Sequence, residues 1–338
     1  MNPESFEYIE RFGYTPEEAR FLCLAALHSG YFVCRQFNDF IHRPRGACTQ
    51  RFLHKLTSRR HARPERYQGK QFVYHIHAEG IYRRLGQMDN RNRRDKAPLT
   101  IKRRLMCLDF VLAHSGFRFL DTEMEKLDYF LVERQLAPDL LPSRRFPARI
   151  RQQAAERFFV DKQPIYLHPG ADGDIAPTVA FAHVDEGART IQGFDSFLDR
   201  LRGLCDALGR FEIVYAAAGS ELFDRAAACF HRSFTARKPD GALDLTREAR
   251  EIIGYFETRR RFETRNFVGL TNERIVGYRE EKKKFAGVEA ENLYRRWLDV
   301  GPAAVMRASD TPRDPRFRTH LLTEDYDMFR RSQHGCAV

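Results

Sequence analysis

Side chains suited to binding nucleic acid are concentrated in one N-terminal stretch of the chain. The candidates are Arg43, Arg45, Thr49, Gln50, Arg51, His54, Lys55, Ser58, Arg59, Arg60, Arg63, Arg66 and Lys70. Such side chains hydrogen-bond phosphate oxygens and base edges in the major groove. Residues 41–104 contain eighteen Lys or Arg against four Asp or Glu, a net charge of +14, whereas the whole chain carries +11. This local excess predicts a polyanionic partner, with double-stranded DNA as the main candidate.

A helix and a β-hairpin are predicted to position these side chains. Apolar residues recur at helical spacing over residues 47–58 and leave the polar residues on the opposite face. The apolar face is Cys48, Phe52, Leu53 and Leu56, and the polar face is Gln50, Arg51, His54, Lys55 and Ser58. Residues 61–67 and 71–76 then predict two strands joined by a turn at residues 68–70. Arg63, Arg66 and Lys70 belong to this hairpin.

Two further helices are predicted before this pair of elements. Thr15, Pro16 and Glu18 have the types and spacing of a capping box that begins a helix, and Gly30 ends it. A short helix follows over residues 35–41. Three helices and a basic hairpin in this order predict an N-terminal winged helix-turn-helix DNA-binding domain over residues 1–88. Winged helices also serve as protein-interaction modules, but cations on both the third helix and the hairpin favour DNA.

The remainder of the chain predicts a mixed α/β fold class. Linker helices are expected over residues 89–150, where the segment from 99 to 114 forms a helix capped by Thr100. The sequence leaves open whether this helix packs on the N-terminal domain or forms a dimer. Apolar runs that alternate with amphipathic segments predict a small α/β domain over residues 151–240. Residues 241–300 predict a helical region, and residues 301–338, rich in Pro, Arg, Asp and Ser, predict a loosely ordered tail.

Composition argues for a cytoplasmic protein with no membrane association. No apolar run reaches the length of about 18 residues that a membrane span needs, and the first residues lack the basic and apolar regions of a signal peptide. The seven cysteines include no CxxC pair, so we expect reduced thiols in a reducing compartment. His75 and His77 form an HxH pair without an acidic or cysteine partner at ligand spacing. We therefore expect neither a metal site nor a cofactor.

The second half of the chain resembles a known family in its order of elements. After the predicted winged helix and linker helix come FFVDKQPIYL (158–167), PTVAFAHVDEG (177–187), FDSFLDRLRGL (194–204) and RFEIVYAA (210–217). Over residues 12–235 this order resembles the replication-relaxation type proteins of plasmids and conjugative elements. The resemblance implies a restriction-endonuclease-like α/β domain behind the winged helix, and a role in plasmid replication or mobilisation.

That resemblance raises the alternative of a Mg²⁺-dependent nuclease. Asp161, Asp174, Asp185 and Glu186 could supply oxygen ligands for the ion, and Lys162 could position the attacking water. However, no acid-x-Lys pattern follows Asp185 and Glu186. A degenerate fold kept for dimerisation or partner contact is therefore the favoured interpretation. The chain also contains no GxxxxGK[ST], GxSxG or HExxH motif.

The sequence as a whole predicts a DNA-binding protein of a mobile element. It would act as a transcriptional regulator or as an accessory factor in replication or transfer. The alternatives are the nuclease and a protein-interaction scaffold in a replication, transfer or defence complex. Because winged-helix regulators commonly bind DNA as dimers, we expect a homodimer. A protein partner would contact the α/β and C-terminal helical regions.

Overall fold

The computed structural model describes residues 3–67, 72–146, 155–169, 177–187, 190–235, 245–267, 270–301 and 314–329. These residues form a mixed α/β structure with three sheets. The chain divides into two compact units, one of residues 1–233 with 315–338 and the other of residues 234–314. The segments that the sequence separates at residues 88 and 150 therefore belong to a single unit.

The elements run along the chain as follows. The helices are α1 (Pro3–Glu10), α2 (Pro16–His28), α3 (Cys34–Phe40), α4 (Ala47–Ser58), α5 (Glu79–Arg84), α6 (Pro98–Ala113), α7 (Glu123–Leu127), α8 (Gln192–Leu208), α9 (Phe223–Phe230), α10 (Leu245–Glu263), α11 (Asn272–Lys284) and α12 (Val288–Val300). The strands are β1 (Tyr31–Val33), β2 (Ala62–Arg66), β3 (Phe72–Ile76), β4 (Arg118–Phe119), β5 (Ser143–Phe146), β6 (Ala155–Phe158), β7 (Ile165–His168), β8 (Thr178–Asp185), β9 (Arg210–Ala217) and β10 (Asp314–Leu321). None of the helices in the described ranges combines the length and apolarity needed to cross a membrane.

The N-terminal elements pack around an aromatic core. Phe21, Phe32, Phe37 and Phe52 are fully buried, and the rings of Phe37 and Phe52 stack with centroids 4.1 Å apart. Burying a side chain of this size contributes about 1.5–3 kcal/mol. These contacts hold α2, α3 and α4 together.

A three-stranded antiparallel sheet completes the N-terminal region. Both β1 and β2 pair with β3, which lies in the middle. The predicted hairpin is confirmed, with Ala62 opposite Ile76 and Arg66 opposite Phe72. The predicted capping box of α2 is also present. The turn at residues 68–70 lies outside the described residues.

Helix α6 joins the N-terminal elements to the rest of the unit. Leu108 packs in the N-terminal core, whereas Leu105 and Phe110 pack in a second core with the main sheet. The sequence leaves two packing arrangements open for this helix, and within the chain it packs on the N-terminal elements. It begins at Pro98 rather than after the predicted cap Thr100, because proline is favoured in the first turn of a helix.

The main sheet has five strands in the order β10-β9-β8-β7-β4. Strands β8 and β9 are parallel and are connected by α8, whereas β7 is antiparallel to β8 and β4 is antiparallel to β7. The two parallel strands are buried along nearly their whole length. This burial explains their continuous apolar sequence. The predicted alternation of strands and helices over residues 151–240 is therefore present.

The expectation of a loosely ordered tail is wrong for residues 314–329. Strand β10 lies beside β9, and the Leu322 amide donates a hydrogen bond to the Ala217 carbonyl at 2.8 Å. Leu322, Tyr326 and Phe329 are buried. The average composition of residues 301–338 does not predict that this segment is ordered, because a few well-spaced apolar residues are enough to anchor it.

A buried polar network ties this C-terminal segment to the N-terminal elements. The Asp109 carboxylate on α6 accepts hydrogen bonds from Arg35 Nη2 at 2.8 and 2.9 Å and from Gln36 Nε2 at 2.9 Å. The Tyr326 hydroxyl donates to the same carboxylate at 2.6 Å. Asp109 therefore links α3, α6 and the segment after β10.

The second unit consists of α10, α11 and α12. Its core is formed by Tyr255, Phe256, Tyr294 and Trp297. Arg259 pairs with Glu263 at 2.8 Å and with Glu291 at 2.7 Å. Arg259 on α10 therefore joins its own helix to α12 through ion pairs.

Candidate nucleic-acid interface

Helix α4 has one buried face and one exposed polar face. Phe52 and Leu56 are fully buried, and Cys48 and Leu53 pack against the same core. The predicted core-facing residues of this helix are confirmed. The exposed polar residues are Gln50, Arg51, His54 and Ser58. A glutamine and an arginine side by side on one helix face can donate hydrogen bonds to adenine and guanine edges.

Two predicted DNA contacts on α4 have structural partners instead. Thr49 is 1% exposed and its hydroxyl donates a hydrogen bond to Asn38 Oδ1 at 2.6 Å. Lys55 is half-buried, and its Nζ lies 2.6 Å from Oε2 of the buried Glu18. Helical spacing could not reveal either partner, because Asn38 and Glu18 lie on other helices. Thr49 is therefore corrected to a residue that anchors α4, and Lys55 is already paired.

Exposed cations extend this polar face at both ends of α4. Arg43 and Arg45 precede the helix, Arg59 and Arg60 follow it, and all four are exposed. The Arg59 guanidinium lies over the Tyr14 ring, 5.4 Å from its centroid. Residues 40–64 include seven Lys or Arg and no acidic residue. A surface of one sign attracts a polyanion and speeds its association.

The hairpin offers fewer available cations than its sequence predicts. Arg66 is exposed, and Lys70 lies outside the described residues. Arg63 donates to Glu65 Oε1 through Nε at 3.1 Å and through Nη2 at 3.0 Å, and it also donates to Asp95. Its charge is therefore partly neutralised by two carboxylates. The prediction of three available hairpin cations is corrected for Arg63.

His75 has two acidic neighbours, Glu65 and Asp95, which do not lie at ligand spacing from it in the sequence. Pairing of β2 with β3 brings Glu65 near His75, and the loop before α6 brings Asp95 to the same place. The His75 ring is fully buried and stacks on Tyr31 with centroids 4.3 Å apart. Burial lowers the pKa of His75. The strand register could have placed Glu65 beside His75, but nothing in the sequence places Asp95 there.

The carboxylates proposed as nuclease ligands bind different partners in the structure. Asp185 accepts hydrogen bonds from the Tyr215 hydroxyl and, at 2.9 Å, from the Gly187 amide. Asp161 lies 3.3 Å from Arg200 Nη2. Within the described ranges, Asp161, Asp185 and Glu186 do not belong to any group of three ligand atoms close enough to share an ion. Asp174 lies outside those ranges.

Lys162, the proposed water-positioning lysine, forms hydrogen bonds with two asparagine side chains. Its Nζ donates hydrogen bonds to Asn90 Oδ1 at 2.5 Å and to Asn92 Oδ1 at 3.1 Å. Burial, reinforced by Arg104 and Lys126, lowers the pKa of Lys162 to about 6. It lines a pocket of about 550 Å³. No sequence pattern indicates this pocket, because its walls come from segments far apart in the chain.

Lys162 should make stability depend on pH. Between about pH 6 and the ordinary lysine pKa of about 10.4, the unfolded chain binds the proton more tightly than the folded protein, so stability rises with pH. Lys162→Met removes this contribution. We expect the free energy of unfolding of the variant to exceed that of the unmodified protein by more at pH 7 than at pH 9.5. Urea unfolding at both pH values measures the difference, and an equal change at both would contradict the assignment.

No family model matches the chain, and neither a curated protein nor a solved structure matches it.

Proposed function

We propose that the chain binds duplex DNA through its N-terminal elements, which have the order of a winged helix. In this assignment α3 and α4 form the helix-turn-helix, α4 is the recognition helix, and the β2–β3 hairpin is the wing. The three-stranded sheet β1-β3-β2 supports the hairpin from behind.

The observation that carries the proposal is the exposed face of α4. Gln50, Arg51 and His54 are exposed on one side of a helix whose other side is anchored in the core. The surrounding residues 40–64 lack any acid that would repel phosphates. An α-helix fits the width of the major groove, so this face can approach base edges while the flanking arginines contact the backbone.

The residues divide into those that contact DNA and those that hold the helix in place. Gln50, Arg51 and His54 would contact bases or nearby phosphates. The residues assigned to the phosphate backbone are Arg43, Arg45, Ser58, Arg59, Arg60 and Arg66. Thr49 and Lys55 fix the orientation of α4 through Asn38 and Glu18.

The wider role in this proposal is that of a cytoplasmic regulator, or a replication or transfer accessory factor, of a mobile element. It rests on the pattern-level resemblance to replication-relaxation type proteins. The five-stranded sheet would be a degenerate restriction-endonuclease-like domain that contacts partners. The nuclease alternative is not favoured, because Asp161, Lys162 and Asp185 each bind other side chains.

Arg51→Ala tests the proposal directly. Loss of a guanidinium that contacts a base or a phosphate costs about 1–3 kcal/mol, which lowers affinity about 5- to 150-fold. Affinity is measured by fluorescence anisotropy on a duplex selected from a random pool with the unmodified protein. Arg225→Ala is the matched control, because Arg225 is an exposed arginine on helix α9. It should leave affinity unchanged.

Salt dependence provides a second measurement on the same samples. Each phosphate contact contributes about 0.9 to the slope of log affinity against log salt concentration, so the unmodified protein should show a steep slope. Equal affinity of Arg51→Ala and Arg225→Ala, or binding insensitive to salt, would overturn the assignment of α4.

A further inference from the structure

Glu65, His75 and Asp95 bring three ligand atoms together at the base of the β2–β3 hairpin. One nitrogen or oxygen from each side chain lies within 4.8 Å of the others. Glu65 is on β2, His75 is on β3, and Asp95 is in the loop before α6. The carboxylates are partly or largely open to solvent, with side-chain exposures of 27% for Glu65 and 71% for Asp95. An ion could therefore reach the group from outside.

The hydrogen bonding of His75 directs a lone pair into this group. His75 Nε2 lies 3.0 Å from the Asn92 carbonyl oxygen. A carbonyl oxygen only accepts, so Nε2 carries the ring proton and Nδ1 has an open lone pair in the neutral ring. His75 is fully buried, and its Nδ1 has no hydrogen-bond partner among the described residues. Metal-binding histidines are commonly oriented by a backbone carbonyl on the other ring nitrogen.

The distance between two of the three ligand atoms fits a small transition-metal ion. His75 Nδ1 lies 3.4 Å from Asp95 Oδ1. Two lone-pair atoms facing each other at this distance repel unless a cation lies between them. Ligands about 2.0–2.1 Å from a tetrahedral ion are about 3.4 Å apart. An imidazole nitrogen with two carboxylates suits Zn²⁺ better than Mg²⁺ or Ca²⁺.

In this structure, the guanidinium of Arg63 balances the negative charge of the two carboxylates. It donates hydrogen bonds to both Glu65 and Asp95. Arg63 reaches the carboxylates through Nε and Nη2, and His75 Nδ1 is left without a hydrogen-bond donor in the described part of the chain.

We propose that Glu65, His75 and Asp95 bind a divalent transition-metal ion of the Zn²⁺ type, and that the ion displaces Arg63 from the two carboxylates. Three protein ligands leave a fourth position for water. The displaced Arg63 would then be available at the hairpin for a phosphate. This last step rests on the proposed DNA binding, whereas the metal site does not.

Metal titration of the full chain tests the site. Zn²⁺ is titrated by calorimetry, and Co²⁺ by its visible absorption, which reports ligand number and geometry. Asp95→Asn and Glu65→Gln should each weaken binding at this site at least tenfold, because they remove a ligand. Asp89→Asn is the matched control, since Asp89 is an exposed carboxylate in the same connection that lies outside the group. It should bind as the unmodified protein does.

Arg63→Met separates metal binding from simple charge effects. Removal of the competing guanidinium should tighten Zn²⁺ binding. If Zn²⁺ bound at another site, its affinity would not change. Unchanged titrations for Asp95→Asn and Arg63→Met, or no Zn²⁺ binding at micromolar concentrations, would overturn the proposal.

DNA affinity with and without Zn²⁺ is then measured on the unmodified protein and on Arg63→Met. We expect Zn²⁺ to raise affinity only where Arg63 is present. Metal binding without this gain would support the site and reject its coupling to DNA. Failure of all DNA binding would reject the proposed function while the titrations still decide the metal site.

Discussion

Asp109→Ala is expected to lower the free energy of unfolding by about 1–3 kcal/mol for each buried donor that loses its acceptor, here the Gln36 amide and the Tyr326 hydroxyl. Asp109 is 8% exposed and accepts hydrogen bonds from Arg35, Gln36 and Tyr326. With alanine in its place, Gln36 and Tyr326 lose this acceptor, whereas Arg35 keeps its ion pair with Asp39. Denaturant unfolding followed by circular dichroism measures the loss.

Two milder variants show which part of the network matters. Tyr326→Phe removes a single hydroxyl from Asp109, so we expect a loss of about 1–2 kcal/mol. Asp109→Asn keeps the size of the side chain and should fall between the two. Limited proteolysis with trypsin adds a local readout, because cleavage after Arg318 should accelerate if the C-terminal segment detaches. Equal stability of Asp109→Ala and the unmodified protein would show that the network does not hold this segment.

Phe52→Ala is expected to cost about 3–5 kcal/mol of stability and to weaken the proposed DNA binding as a consequence. Phe52 is fully buried and stacks on Phe37, with Phe21 and Phe32 at ring-centroid distances of 6.0 Å. Its removal leaves a cavity beneath the helix that carries Gln50 and Arg51. The two variants test the two faces of α4 separately. Phe52→Ala alters the buried face that holds the helix in place, and Arg51→Ala alters the exposed face.

Phe52→Leu is the matched control for this cavity. Leucine fills much of the same volume, so we expect a smaller loss of stability and nearly unchanged DNA affinity. Thermal melting and anisotropy on the same preparations compare the two effects. A Phe52→Ala protein that is as stable as the Phe52→Leu protein would contradict the packing described for α4.

Local patterns in the sequence predicted the elements of the candidate site well. The apolar spacing around Phe52 and Leu56 determines both the extent of α4 and the face that it exposes. The two strands of the hairpin were predicted from their spacing around a turn, and they pair as expected. These features depend on neighbours a few residues apart, which periodicity detects.

Features that depend on distant residues were not predictable in this way. Thr49 and Lys55 have polar types typical of an exposed face, yet each binds a residue on another helix. Asp95 reaches His75 through a loop that no pattern constrains. The ordered segment after residue 314 was missed because its few apolar residues find their partners, such as Tyr67, more than two hundred positions earlier.

The hydrogen bond between Tyr326 and Asp109 has a consequence for folding during synthesis. Arg35 and Gln36 emerge from the ribosome early in synthesis, whereas Tyr326 follows almost three hundred residues later. Until then, Asp109 lacks one of its partners and the apolar surface beneath Phe329 stays open to water. A nascent chain interrupted before this point would expose this apolar surface, which makes it a natural target for chaperones or proteases.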